Sequence, residues 1–311
     1  MPPDAMPPQR STHLSAIAAE TAAWRRLAGL HRLAPYLYVL PALAALALWN
    51  YYPLLFLIDL SFRRLDTGSP TPTWIGLANY RELFSDPVFW RVLLNTATYT
   101  FVTVPLSIAL GLALAVALNQ RLPGARLFRT LFYTPVVLPT VAAATIALWL
   151  FNTNYGLANY LLELGARPPV AWLTDSSYAL WTIIAIGVWK TFGYFMLVYL
   201  AALQALPQAV LDAARLDGAW PWDRFWSITW PLLRPTTWFA TVIAVILSFQ
   251  AFDFVNIMTQ GGPSNATNLL VFYIYQHGFQ YFRLGFAAAS AVMMFALVYG
   301  LSALVSFWFN R

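Results

Sequence analysis

The residues of this sequence that could carry acid–base or metal chemistry are few and lie far apart. The chain has no cysteine, which excludes disulfides, thiolate nucleophiles and cysteine-ligated metals. The histidines, His13, His31 and His277, are too widely separated for a recognisable metal motif. An intramembrane enzyme would need His, Asp or Glu clustered at one depth, and no such cluster is found. The sequence therefore predicts no catalytic residue, no metal site and no cofactor held by this chain.

Two ionisable residues, Lys190 and Asp253, fall within long apolar segments. Charged side chains inside a membrane are costly, and they usually face the interior of a helix bundle or a water-filled cavity. Three alternatives stay open for them. Either residue can line a solute pathway, the two can pair with each other, or each can reach the headgroups from near the end of a span.

Aromatic and amide side chains near these charges have the chemistry of a sugar site. Aromatic rings suit the flat apolar faces of sugars, while amides suit sugar hydroxyls, in a pocket with few convergent polar groups. The candidate pathway residues are Lys190, Tyr194, Phe195, Phe249, Gln250, Phe252, Asp253 and Asn256. For the aromatic residues, packing against neighbouring helices or lipid is the alternative interpretation.

Long apolar segments must position these side chains. The chain is 60% hydrophobic and 10% charged, whereas ordinary globular domains are about 25% charged. A bilayer core about 30 Å thick needs roughly 20 apolar residues per helix. The segments that approach this length are 36–58, 92–119, 130–151, 178–203, 236–258 and 286–309. The predicted fold is therefore all-α and integral to a membrane, with six transmembrane helices, and prolines within the first three predict kinks.

Basic residues flank the apolar segments and indicate an orientation. If the N terminus is inside, most arginines lie in the cytoplasm, as the positive-inside rule expects. Both termini are then cytoplasmic, with 1–34 an N-terminal cytoplasmic segment and 35–311 the membrane domain. Although the net charge is +6, these residues do not gather on one face of a polar domain, so nucleic acid is not expected as a partner. The aromatic stretch 272–281 is expected along a membrane interface.

The most informative predicted cytoplasmic segment is 212–231, within a loop over about 204–234. Its pattern predicts two short helices joined at a bend. Gly218 can take the positive φ that usually ends a helix, and Pro221 suits the first turn of the next one. Pro231 is predicted to stop the second helix, because a residue before proline avoids the helical region.

Such an elbow suits the transfer of force from a soluble partner to the membrane helices. Ala213 and Ala214 allow a partner's backbone to approach closely, and Phe225 and Ile228 present an apolar edge. A helix lying passively against lipid headgroups is the alternative interpretation.

The same segment resembles the EAA loop of ABC importer permeases, in which Glu-Ala-Ala is followed by Gly and then by Ile and Pro. The matching residues here, with Asp in place of Glu, are Asp212, Ala213, Ala214, Gly218, Ile228 and Pro231. The resemblance implies that the stretch from Asp212 through Asp217 to Gly218 is a coupling helix seated on an ATPase subunit.

Four shorter motifs resemble the maltose/glycerol-3-phosphate (carbohydrate uptake) branch of that family, and they are Gly76–Tyr80, Asn95-Thr96, Val188–Lys190 and Gly261–Pro263. The resemblance covers the chain from about Pro35 onward and implies a type I ABC importer permease. It implies as partners ABC ATPase subunits, a second homologous permease and an extracytoplasmic solute-binding protein. It also implies a bacterial or archaeal cytoplasmic membrane as the location, with membrane lipid around the spans.

The chain carries no Walker A loop, which would need Gly-Lys-Ser/Thr to hold phosphates, because its one lysine, Lys190, follows Trp189. ATP and Mg are therefore expected on the partner ATPase, and the predicted function is uptake of a sugar or related polyol. A neutral sugar is preferred, because a phosphate ester would need convergent Arg or Lys. The alternative is an ion-coupled carrier or channel, for which repeated charges within the membrane or an inverted repeat would be expected.

Overall fold

The computed structural model describes residue 36 and residues 38–65, 71–120 and 123–309. The predicted segment 1–34 and its boundary with the membrane domain lie outside the described residues, so both stay predictions. Residues 58–309 belong to one compact unit, which holds every site discussed below. In chain order the helices are α1 (Tyr38–Ser61), α2 (Ala78–Ser85), α3 (Pro87–Leu118), α4 (Ala125–Val137), α5 (Thr140–Leu150), α6 (Leu157–Leu164), α7 (Ala179–Ala205), α8 (Gln208–Leu216), α9 (Pro221–Arg224), α10 (Trp230–Leu232), α11 (Arg234–Ser248), α12 (Phe252–Met258), α13 (Leu270–Tyr275) and α14 (Leu284–Phe309).

Three wider π turns interrupt or extend these helices, at Ala47–Tyr51, Phe225–Thr229 and Gln276–Gln280. The described strands, β1 (Arg63–Arg64) and β2 (Thr73–Trp74), form one antiparallel pair, with Arg63 opposite Trp74. The remaining architecture of the described residues is helical.

Five helical stretches of the described chain are long and apolar enough to cross a membrane, and they are α1, α3, α7, the run Arg234–Met258 and α14. The pair α4 and α5 makes a sixth if it is counted as one span. Its halves meet at 98°, so the kink predicted from the prolines of the span 130–151 is present as a sharp break between Val137 and Thr140. Leu138 has ψ 136°, because a residue before proline is pushed out of the helical region, and Pro139 itself has ψ 135°.

Close backbone approach and paired hydroxyls hold the long helices together. A Cβ on Gly111 of α3 would lie 2.7 Å from the Cβ of Phe195 in α7, so the absence of a side chain there sets the distance between these helices. Within the same bundle Thr100 bonds to Ser248 at 3.0 Å, and Ser107 bonds to Thr191 at 2.9 Å. Hydroxyl pairs of this kind satisfy polar groups that lipid cannot satisfy.

The motif Gly76–Tyr80 closes the turn after α1. The amide of Asn79 donates to the carbonyls of Ser61 and Arg63 at 2.8 and 2.9 Å. A Cβ on Gly285 would lie 2.0 Å from the Arg63 carbonyl oxygen, so only glycine lets α14 pass at this point. The side chain of Asn79 therefore joins α2 to the end of α1 and to β1.

The motif Asn95-Thr96 binds the loop that contains Gly261–Pro263. Asn95 donates to the carbonyls of Asn265 and Asn268 at 2.8 and 3.1 Å, while the Thr96 hydroxyl accepts from the Leu270 N–H at 2.9 Å. The start of α3 thereby fixes the loop between α12 and α13, in which Gly261 has φ +82°.

The aromatic stretch 272–281 anchors itself to the core through its first turn. Phe272 and Tyr273 are buried in the core, whereas Phe279 and Tyr281 are exposed. The Tyr273 hydroxyl donates to Asp86 at 2.5 Å. The position of the stretch along a membrane interface stays a prediction.

Candidate functional site

The elbow begins with α8, whose end is closed entirely by backbone hydrogen bonds. Gly218 has φ +77°, as predicted, and its N–H bonds to the Arg215 carbonyl at 3.1 Å. The Ala219 N–H bonds to the Ala214 carbonyl, also at 3.1 Å. These two bonds form a Schellman motif. A Cβ at position 218 would meet nothing within 4 Å, so the glycine is needed for its conformation and not for space within this chain.

The outward side of α8 carries the residues expected to meet a partner. Asp212, Ala213 and Asp217 are exposed, while Ala214 is buried. Asp212 pairs with Arg215 at 2.7 Å, and both side chains are 58% exposed. An ion pair so exposed contributes little to stability. Asp212 is therefore held in place at the surface but not withdrawn from it.

The second half of the elbow begins as predicted and ends differently. Pro221 occupies the first turn of α9, but Trp230 is helical, with φ −59° and ψ −48°. The prediction that Pro231 stops the helix is wrong. The π turn 225–229 widens the helix, and its last bond runs from the Trp230 N–H to the Phe225 carbonyl. A wider turn of this kind lets a helix continue past a proline.

The apolar edge of the elbow consists mainly of tryptophans. Phe225 and Ile228, the residues predicted for this edge, are half-buried, whereas Trp222 and Trp226 are exposed, with ring centroids 5.6 Å apart. At the tip, Leu216 is 90% exposed. Sequence reasoning did not single out Leu216, although an apolar side chain beside a helix-ending glycine in a polar loop was a usable signal.

Lys190 has a structural partner that the sequence did not reveal. Its ammonium donates to the carbonyls of Pro135 at 2.7 Å, of Val136 at 3.2 Å and of Leu138. These carbonyls belong to the last turn of α4 and the break that follows it, where a helix leaves its acceptors unpaired. A cation at a helix C terminus is also favoured by the helix dipole. Lys190 therefore neither pairs with Asp253 nor extends toward lipid headgroups.

The aromatic pathway candidates are occupied in packing. Phe249 and Phe195 are buried in one core cluster. Tyr194 is half-buried against Phe195, with ring centroids 5.3 Å apart, and Phe252 meets Tyr275 edge to face at 4.9 Å. For these four candidates the structure shows the packing alternative, and their contact with a solute stays a prediction.

The polar pathway candidates share one place in the fold. Helices α11 and α12 are separated at residues 249–251, and Gln250, Asp253 and Asn256 follow at intervals of three residues. Gln250 is exposed, and the other two are half-buried. None of the three side chains forms a hydrogen bond or ion pair with another described residue. Asp253 and Asn256 lie on one face of α12, since residues three apart on a helix are neighbours.

Within the described ranges, no group of three or more His, Asp or Glu could hold a metal ion. Two places in the described chain are therefore suited to binding. The elbow presents an exposed surface to a partner, and the break between α11 and α12 presents polar side chains that can form hydrogen bonds.

Comparison with known proteins identifies relatives along most of the chain. The family model described as "Binding-protein-dependent transport system inner membrane component" matches residues 107–311. The sulfoquinovosyl glycerol transport system permease protein SmoG of Agrobacterium fabrum is 35% identical over 86% of this chain and 87% of its own. The trehalose/maltose transport system permease protein MalF of Thermococcus litoralis is 35% identical, over 85% and 89%. The sn-glycerol-3-phosphate transport system permease protein UgpA of Agrobacterium fabrum is 32% identical, over 88% and 93%.

Solved structures share the fold. A bacterial ABC transporter that imports the acidic polysaccharide alginate superposes with a TM-score of 0.80 at 23% identity, covering 92% of this chain and 99% of that chain. The same kind of transporter in complex with an alginate pentasaccharide-bound periplasmic protein gives 0.79 at 22% identity, covering 89% and 94%. The predicted fold class and family resemblance are thus confirmed. The chain belongs to the family of binding-protein-dependent transport system inner membrane components, and its fold is that of a type I ABC importer permease.

Proposed function

We propose that this chain is the translocation subunit of an importer for a neutral sugar or related polyol, driven by ATP hydrolysis on a separate subunit. Its relatives carry the names of transporters for polyhydroxylated solutes, among them a trehalose/maltose system. A phosphate ester is disfavoured because the ammonium of Lys190 is already committed to backbone carbonyls. The unpaired ionisable group near the α11–α12 break is the acidic Asp253, which would repel a phosphate.

The observation that supports coupling through α8 is the exposure of Leu216. This side chain stands 90% exposed at the tip of a helix whose end is fixed by two backbone hydrogen bonds. Trp220, four residues further on, is 75% exposed. A fixed apolar tip on an exposed helix end suits docking to a partner, because exposed apolar groups rimmed by polar residues mark protein–protein interaction sites, and tryptophan is enriched among the residues that dominate interface binding energy. The proposed coupling residues around this tip are then Asp212, Ala213, Asp217 and Gly218, whereas Ala214, expected beside them, is buried against this chain and supports α8 from within.

The matching residues Ile228 and Pro231 support the elbow from within. Ile228 is half-buried in the π turn, and Pro231 follows it in α10. Their proposed role is to set the angle between the docking helix α8 and the membrane helix α11, and neither is proposed to touch the ATPase.

The test is co-purification of the full chain with its ATPase from membranes in mild detergent. Leu216→Ser is expected to lower ATPase recovery and solute-stimulated ATP hydrolysis at least tenfold, as for an interface hot spot. The matched control is Leu232→Ser, which makes the same change at an exposed leucine outside α8. Equal recovery of the ATPase with both variants would contradict docking through α8. Absence of any ATPase with the wild-type chain would favour the ion-coupled carrier.

The rest of the proposed assembly follows from the family. It consists of ABC ATPase subunits that bind ATP and Mg, a second homologous permease, and an extracytoplasmic solute-binding protein. The chain itself is proposed to bind no cofactor and to catalyse no reaction. Both termini and the elbow are proposed to lie on the cytoplasmic side of a bacterial or archaeal membrane. The reason is that α8 is proposed to bind the ATPase subunit, which obtains its ATP from the cytoplasm. Protease protection of a C-terminal tag in sealed inside-out vesicles would contradict this orientation.

A further inference from the structure

An apolar groove runs beside the elbow. It has a volume of about 730 Å³ and lies between α3 and the tryptophans of the elbow, Trp222, Trp226 and Trp230. From α3 it is lined by aliphatic residues and by the small side chains of Ala109 and Ala113. The groove follows α3 from Val104 to Val116, which at 1.5 Å per residue is about 18 Å. One leaflet of a bilayer core about 30 Å thick is about 15 Å deep, so the groove is about one leaflet long.

A polar cavity of about 830 Å³ adjoins this groove. Its lining includes Arg215, Arg224 and several amides, and it shares Val116, Pro221 and Phe225 with the groove. Arg215 is paired with Asp212. The guanidinium of Arg224 forms no hydrogen bond or ion pair with another described residue. The apolar groove therefore leads into a polar cavity that holds the guanidinium of Arg224, which has no anionic partner among the described residues.

We propose that this double cavity binds one anionic phospholipid, with an acyl chain in the apolar groove and the phosphate near Arg224. A phospholipid matches both the apolar character of one space and the cation in the other. Tryptophans that flank the groove have the usual position of such residues at the membrane interface, and basic pockets between membrane helices suit anionic headgroups.

A helix of another subunit fits the groove less well. A helix about 10 Å across and 18 Å long has a volume of about 1,400 Å³, roughly twice that of the groove. It would also leave Arg224 without an anion. The lipid would join α3 to the elbow, so its loss is expected to loosen their contact.

The test is native mass spectrometry of the full chain, purified in mild detergent with its partner subunits and incubated with phosphatidylglycerol or phosphatidylcholine. The wild-type chain is expected to retain one phosphatidylglycerol more strongly than phosphatidylcholine. Arg224→Gln should weaken this retention about tenfold or more, the effect of losing one hydrogen bond to a charged group. Ala113→Phe should abolish it by filling the groove.

Matched controls separate this site from lipid that merely surrounds the protein. Arg126→Gln removes an exposed arginine of α4, and Ala117→Phe enlarges an exposed alanine of α3, and neither residue lines the two cavities. Both controls should retain the lipid. Equal retention by all four variants, or no preference for phosphatidylglycerol, would overturn the proposal.

The identity of the occupant can be read directly because the chain has no cysteine. A photoreactive label on Ala117→Cys, one helical turn beyond Ala113 and outside the lining of the two cavities, should cross-link to phospholipid in membranes. Cross-linking to a second permease or to the chain's own N-terminal segment would overturn the proposal. These outcomes do not depend on ATPase docking, since the Leu216→Ser variant should keep the lipid even where it loses the ATPase.

Discussion

Replacement of Lys190 by methionine tests whether this residue caps the break between α4 and α5. Methionine keeps the length and the apolar stem but removes the ammonium that donates to the carbonyls of Pro135, Val136 and Leu138. Each carbonyl left unpaired costs about 1–3 kcal/mol. Part of this cost is offset, because the variant no longer holds a charge away from water. We expect a net loss of about 2–5 kcal/mol.

The assay is thermal unfolding of the full chain in detergent, followed by tryptophan fluorescence. On the scale measured for domains of about 150–250 residues, a loss of this size lowers the melting temperature by roughly 5–15 °C. Lys190→Arg is the matched control, because arginine keeps the charge and offers five donors to the same carbonyls. It should recover most of the lost stability.

Two results would refute this reasoning. If Lys190→Met melts at the wild-type temperature, the three carbonyls do not depend on the ammonium. If Lys190→Met loses solute transport while its stability is unchanged, the residue acts on the solute, as first considered for it, and does not hold the break.

Three further changes have defined outcomes. Gly218→Val should weaken ATPase recovery while Gly218→Asn retains most of it, because a β-branched residue strains the left-handed region and Asn tolerates it; equal loss with both would indicate surface bulk as the cause. Asp253→Asn, with Asn256→Ala beside it, should raise the KM for transport several-fold without moving the melting temperature, because neither side chain has a partner to lose; a lowered melting temperature would assign them to packing. Burial lowers the pKa of His277, so the unfolded chain binds the proton more tightly and stability should fall as the pH drops below about 6.5, the unfolded value; His277→Gln should flatten this profile in a melting series from pH 8 to 5.

Several elements of the fold could be predicted because single residues determine them. The long apolar runs located the spans. In lipid every backbone N–H and C=O must be paired within the protein, and a helix does this within a single segment. Gly218 and Pro221 placed the bend of the elbow, because left-handed backbone favours glycine and a helix start tolerates proline. In these places local chemistry leaves few alternatives.

Other features depend on contacts between distant segments and could not be predicted from local patterns. Pro135 and Pro139 indicated a kink, but a 98° break needs the ammonium of Lys190, about 50 residues away in the chain, to satisfy its carbonyls. Pro231 indicated a helix end that a π turn avoids. The same aromatic residue types occur in a protein core and along a sugar pathway. Phe249 could therefore be assigned to the core only from its packing.

The length of α3 has a mechanical consequence. Its 32 residues extend about 48 Å, well beyond the roughly 30 Å of the hydrocarbon core. Its first turns hold the α12–α13 loop through Asn95 and Thr96, and its last turns border the elbow at Val116 and Asn119. One helix therefore contacts the α12–α13 loop near its start and borders the elbow near its end, so a tilt of α3 as a rigid body would displace the elbow sideways relative to that loop.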